Sequence, residues 1–201
     1  MRPLVSFVVA AGLAAACSAT PPVDTAYVRA VEAARAEKDA TFRSSGSPIP
    51  WNEHGTLLPL AYYPVDPAYA VPAAFKENPP GLRPKVEIQT SGHEPRQMEL
   101  AGVLEFTLQG RALHLATLVE AGQPADRLFV PFTDQTSGRE TYLAGRYLDI
   151  DRSITGIYVV DFNRAYNPYC AYNPTYDCPY PPRENRLPVA IRAGERVKAA
   201  R

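Results

Sequence analysis

Gly102-Val103-Leu104-Glu105-Phe106-Thr107-Leu108-Gln109-Gly110-Arg111-Ala112-Leu113-His114-Leu115-Ala116-Thr117-Leu118-Val119 is the stretch that decides the fold. Apolar and polar residues alternate through much of it, a break falls at Gln109-Gly110-Arg111, and the alternation then resumes. Period two sends successive side chains to opposite faces of a strand, so the run reads as a β-hairpin with one buried face. The same texture spreads outward. Lys85-Val86-Glu87-Ile88-Gln89-Thr90 alternates before Ser91-Gly92, and further strands are read at Arg127–Phe132, Glu140–Ile150, Gly156–Phe162 and near Leu187–Arg192. Turns fall at Gly122-Gln123-Pro124, Thr136-Ser137-Gly138 and Arg152–Thr155. Short strands in hairpin order argue for a mainly β protein, an antiparallel barrel or sandwich.

One helix precedes the strands. Asp24 or Thr25 can cap an alanine-rich run to about Phe42, with no breaker until Gly46. Tyr27, Val28, Val31, Ala34 and Phe42 form a thin apolar stripe that suits docking on a sheet, and the charged remainder is read as a solvated face. Residues 46–84 are aromatic and proline-bounded, an irregular wrap with a short strand near Leu60–Tyr63.

The start of the chain reads as a targeting segment. Met1-Arg2-Pro3, an apolar run Leu4–Leu13 and Ala14-Ala15-Ala16 match a signal peptide over residues 1–16, too short to span a bilayer. Cys17 after three alanines resembles the bacterial lipoprotein box, in which that cysteine carries diacylglycerol. Residues 17–23 are then a lipid-attached tether and 24–201 a single domain in the cell envelope, and Ser18 points to the outer membrane. Ordinary cleavage and a freely exported protein is the other reading. Removing Cys17 to lipid leaves Cys170 and Cys178, which an oxidising compartment can join as a disulfide. The rival, two thiols on a metal or acting as nucleophile, lacks the usual ligand spacing and any histidine nearby.

Lys and Arg number 21, as do Asp and Glu, and no basic stripe suits a phosphate backbone, so nucleic acid is not expected as a partner. Standard catalytic, phosphate-binding and zinc motifs are missing, and no cofactor or metal is implied. His54, His93 and His114 are scattered. Chemistry therefore concentrates in Asp161-Phe162-Asn163-Arg164-Ala165-Tyr166-Asn167-Pro168-Tyr169-Cys170-Ala171-Tyr172-Asn173-Pro174-Thr175-Tyr176-Asp177-Cys178-Pro179. Prolines fix φ and asparagines bond nearby backbone, so this is an ordered loop whose entropy cost something must offset. Period two places Arg146 and Asp149 on opposite faces, and Asp161 and Asn163 on one face about Phe162.

Gly138-Arg139-Glu140-Thr141-Tyr142, Gly145-Arg146-Tyr147-Leu148-Asp149, Asp161-Phe162-Asn163-Arg164-Ala165-Tyr166-Asn167-Pro168, Cys178-Pro179, Glu184-Asn185 and Ala193-Gly194-Glu195 together resemble the bacterial and archaeal DUF1684 family, as does Tyr62-Tyr63-Pro64 with Asp66 and Tyr69. Ala70 and Arg183 depart from its pattern. The resemblance implies no activity. Two readings of the signature stay open. In one, Asn163, Asn167, Asn173 and Asn185 bond backbone groups, Asp161 pairs with Arg139 or Arg146, and Cys170–Cys178 staples the loop. In the other, Asp161, Asn163, Asn167, Glu184, Asn185, Arg139 and Arg146 line a barrel-end pocket walled by Tyr142, Tyr147 and Tyr166, fit for a small polar or anionic ligand. The functional expectations are accordingly an envelope lipoprotein that binds a small ligand or partner, a hydrolase or lyase using Asp161 and Glu184 as acid and base, or a structural protein without a pocket. Oligomeric state is open.

Overall fold

The computed structural model describes residues 24–198 except 93 and 125. The expected leader 1–16 and the tether with Cys17 lie outside the described residues, as does His93. Helix α1 (Thr25–Phe42) starts where expected: the Asp24 carboxylate accepts the N–H groups of Ala26 and Tyr27 at 3.0 and 3.1 Å. Only Val31 and Phe42 of the helix are buried. Its charged face is not simply solvated, because polar contacts do much of the docking. Arg35 donates to the carbonyls of Tyr63 and Asn163 at 2.9 and 3.1 Å, Asp39 accepts the Leu60 N–H at 2.8 Å, and Lys38 reaches the Glu195 carboxylate at 2.8 Å.

Seven strands follow: β1 (Ala70–Glu77), β2 (Lys85–Ile88), β3 (Arg96–Leu108), β4 (Arg111–Glu120), β5 (Arg127–Phe132), β6 (Arg146–Asp151) and β7 (Ile157–Asp161). They form one antiparallel sheet in the order β6-β5-β4-β3-β1-β7, with β2 beside β3, curled into a half-barrel against which α1 packs. The β3–β4 hairpin closes through Gln109 and Gly110, both at positive φ (52° and 72°), the two-residue turn whose twist matches its strands.

Three expectations change. The stretch Glu140–Ile150 is strand only from Arg146, because the Thr136 carbonyl accepts the N–H groups of Arg139, Glu140 and Thr141 and winds that segment into a turn. Leu60–Tyr63, bounded by prolines, pairs at a single bridge, Tyr62 with Glu195. Leu187–Arg192 joins no ladder; it is bent at Pro188–Val189, bonds Thr133 and Gln135 through its backbone, and buries Leu187, Val189 and Ile191 in the main core. Conversely β1 was hidden in the proline-rich wrap. Pro72 stands in it opposite Val159 of β7, one residue before the ladder to β3 begins at Ala73 opposite Phe106.

The core fills the concave side. Leu104, Phe106, Leu115, Leu128, Val130 and Leu148 alternate inward and meet the Phe162 ring, which lies 5.8 Å from Phe106 and 5.3 Å from Phe132. A register shift between Leu100 and Gly102 changes the face that β3 presents. Ala101 and Leu104 enter this core, while Met98 turns to a smaller apolar cluster with Ile88 and Leu118 on the convex side. That second cluster is the footing of the site.

Candidate functional site

The polar residues singled out in the sequence do not converge on one barrel end. Arg146 is on the core-facing side of β6, as its alternation with Leu148 and Ile150 requires, and is 1% exposed. Its guanidinium donates to Asp134 Oδ2 at 2.9 Å and to the carbonyls of Ile191, Ala193 and Glu195. Asp134 also takes the N–H and hydroxyl of Thr136 at 2.7 and 2.6 Å. This buried pair is closed and binds the C-terminal segment in place of a strand partner, so Arg146 meets neither solvent nor Asp161.

Asp161 instead ends β7 by accepting the Tyr27 hydroxyl at 2.8 Å, the Asn163 N–H at 3.0 Å and Arg164 Nε at 3.1 Å. Asn163 is buried beside it and exchanges bonds with the Asp66 backbone at 2.9 and 2.7 Å. Burial first, then Asp161, pushes the Tyr27 phenol upward. Asn185 is fully bonded to β4 and β5 through Ala116 and Pro131. Glu184 is exposed on the short turn Arg183–Asn185, which packs on β4; β3 and β1 stand between that strand and β7. Asp161 and Glu184 are therefore not an acid–base pair. Arg139 is exposed on a surface with Arg186 and Arg192, whereas Arg146 is buried.

The loop 161–179 does hold side chains together. Tyr142 donates to Cys170 Sγ at 3.9 Å, and the Cys170 N–H donates to Cys178 Sγ at 3.1 Å. Both cysteines are free thiols in this structure, not the bridge read from the sequence, and burial pushes the Cys178 thiol up to about 12. Glu195, also buried, accepts Asn167 Nδ2 at 2.9 Å, the Asn167 N–H at 3.2 Å, Lys38 Nζ at 2.8 Å and the Tyr172 hydroxyl. Gly194 makes this placement possible: its φ is +76°, and a Cβ there would come within 2.6 Å of the Phe162 carbonyl.

Two of the predicted walls do line a cavity. On the convex side of β3–β6 lies an open cleft of about 1030 Å³. Met98, Leu118, Phe129, Tyr147 and Tyr166 floor it, and Lys38, Phe42 and Tyr169 rise at one end. The rings are fixed. Phe129 meets Tyr147 edge-on at 4.8 Å, Tyr147 meets Tyr166 edge-on at 5.8 Å, and backbone bonds in both directions tie Tyr166 to Tyr147. Tyr147 donates to the Pro179 carbonyl at 2.6 Å and Tyr166 to Asp149 at 2.9 Å, so both hydroxyls are occupied; the Tyr147 ring is buried beneath, and the Phe129 and Tyr166 rings are part-exposed. Burial, aided by Asp149, pushes the Tyr166 phenol upward. The rim carries both signs, with Glu120, Asp126 and Asp149 against Arg96 and Arg127. Among the described residues, no three His, Cys, Asp or Glu side chains gather in a metal-ligating group.

The model of the family described as "Protein of unknown function (DUF1684)" matches residues 57–196. The chain belongs to the DUF1684 family. Among solved structures, this DUF1684 protein is similar to an uncharacterized protein of Haloarcula marismortui determined by solution NMR. The two are 34% identical with a TM-score of 0.70, over 88% of this chain and 97% of that one. None of the curated proteins matches the chain.

Within the DUF1684 stretch, the signature residues thus divide. Arg146, Asp161, Asn163, Asn167 and Asn185 close buried bonds that hold loops to the sheet. Tyr147 and Tyr166 face the cleft. Sequence reading missed Lys38, Phe129 and Met98 as lining residues. Alternation along β5 does place Phe129 opposite in sense to Leu128 and Val130, which is a usable signal. Lys38 had none, because its partner Glu195 is 157 residues away.

Proposed function

We propose that this protein is an exported lipoprotein, anchored through Cys17, whose convex-side cleft binds a small ligand with an apolar body and a polar or anionic group. The observation that carries the binding role is the cleft floor, where the part-exposed rings of Phe129 and Tyr166 pack against the buried Tyr147 ring and both tyrosine hydroxyls are already bonded. Concave sites of this size with an apolar lining and a few polar groups are where small molecules bind. The anchor rests on the leader, the alanines before Cys17 and the short tether.

Native mass spectrometry of the protein recovered from its own envelope tests both parts. The reading expects a retained small molecule that Tyr166→Ala and Phe129→Ala release, and an N-terminal peptide carrying diacylglycerol on Cys17. An unmodified N-terminus starting elsewhere removes the anchor. A ligand that survives both cleft substitutions removes the site.

A further inference from the structure

We infer that Lys38 is the specificity determinant of the cleft and that the ligand it selects is a flat apolar monoanion, with a carboxylate set against the Lys38 ammonium. This rests on the cleft being a binding site, and it names the class of molecule that the site takes.

An ammonium has three donors and no acceptor. One N–H of Lys38 goes to Glu195 Oε2 at 2.8 Å, and among the described residues no other oxygen or nitrogen accepts from Nζ. The remaining positive surface lies 5.1 Å from the Phe42 ring and 5.1 Å from the Tyr166 ring, at the end of the cleft. Lys38 lines the cleft and its side chain is 24% exposed, whereas that of Glu195 is 1% exposed, so the lysine is the member of the pair that a ligand can reach. A charged group with unused donors, facing a ring floor, is complementary to an acceptor on an aromatic or similarly flat molecule.

Glu195 fixes the lysine beforehand. It is itself held by Asn167 at 2.9 and 3.2 Å and by the Tyr172 hydroxyl, at a backbone position that Gly194 permits. A lysine already confined loses less rotamer freedom when a ligand arrives, which favours affinity. The other cations at the cleft are directed elsewhere: Arg127 pairs with Asp151 at 3.0 Å and Arg96 with Asp177 at 3.6 Å. Glu120, Asp126 and Asp149 on the rim disfavour a second negative charge. A carboxylate fits this balance better than a dianionic phosphate.

Titration of the full chain with naphthoate and with naphthamide, which share the ring and differ in charge, followed by NMR shifts of cleft residues, tests the assignment. Naphthoate should bind about 10-fold tighter, and added salt should narrow the gap. Lys38→Met should equalise the two while leaving naphthamide unchanged. Because that substitution strands the Glu195 carboxylate, Lys38→Met with Glu195→Gln provides a variant without that stranded charge and should behave alike. Equal affinities in the unaltered protein, or a naphthoate preference that persists in the double variant, reduce Lys38 to a counter-ion of Glu195 and overturn the inference while the cleft stands. If neither probe shifts cleft residues, the cleft reading falls and this one with it.

Discussion

Asn185 stands opposite Ala116 as one strand stands opposite another: its Oδ1 accepts the Ala116 N–H at 2.7 Å and its Nδ2 donates to the Ala116 carbonyl at 2.9 Å. The reason lies across the sheet. Extending the Leu118–Phe129 register by two residues sets Ala116 against Pro131, which has no N–H to give. The Asn185 amide fills the gap and donates to the Pro131 carbonyl as well, at 2.8 Å. Asn185→Leu, of similar volume, leaves these buried groups unbonded and should cost about 3 kcal/mol or more in chemical denaturation. Asn185→Asp should be worse, since a carboxylate would then face two carbonyls. A loss below about 1 kcal/mol in Asn185→Leu would show that water can replace the amide.

The buried Arg146–Asp134 pair makes a second prediction with an internal control. Asp134→Ala leaves the Arg146 charge uncompensated, and a loss of about 3–5 kcal/mol is expected. Replacing both, Arg146→Met with Asp134→Leu, removes the stranded charge but not the need of Ile191, Ala193 and Glu195 for a donor. The double variant should therefore stay well short of the native stability. Full recovery would mean that the arginine serves Asp134 alone.

These two residues show what the sequence could and could not reveal. Alternation puts Arg146 on the face of Leu148 and Ile150, so its burial was legible, as were the hairpin, its turn and the Asp24 cap. Its partner was not, since nothing local in Asp134 distinguishes it from Asp161. Leu187–Arg192 carries the alternation of a strand because its side chains do enter the core; alternation reports burial, not which group satisfies the backbone. The cleft was half legible. Tyr147 and Tyr166 stood out by composition, but their meeting with Phe129 depends on the β5–β6 pairing, and with Lys38 on contacts far apart in the chain.

Alkaline pH should act through the buried phenols. Burial is the first cause that pushes Tyr147, Tyr166 and Tyr172 above the ordinary tyrosine value of 10.0, with Glu195 adding to it for Tyr172. A phenol whose folded value is raised contributes stability that is fully present below its unfolded value and is lost as pH rises through the folded one. Stability measured by denaturant should thus fall as pH climbs above 10, and part of the tyrosinate absorbance should appear only with unfolding. Tyr172→Phe should soften that fall. All 12 tyrosines ionising together near pH 10 without loss of structure would contradict this.

The last prediction concerns the wall of the cleft formed by the loop that carries Cys170 and Cys178. The two cysteines are adjacent, with the Cys170 N–H on Cys178 Sγ at 3.1 Å, which puts a bridge between them within reach. The Cys178 thiol, pushed up to about 12 chiefly by burial, is a poor nucleophile at neutral pH, and Cys170 is the more exposed of the two. In protein made under reducing conditions an alkylating reagent should therefore take Cys170 first and Cys178 slowly. Protein from an oxidising compartment should weigh less by two hydrogens, resist alkylation until reduced, and gain about 2–3 kcal/mol from the short closed loop. Because Pro168, Tyr169 and Pro179 flank the bridge and line the cleft, oxidation should also hold that wall against Tyr147. Two freely alkylated thiols in protein from an oxidising compartment would show instead that the loop is held by its prolines, its asparagines and the Tyr147–Pro179 bond alone.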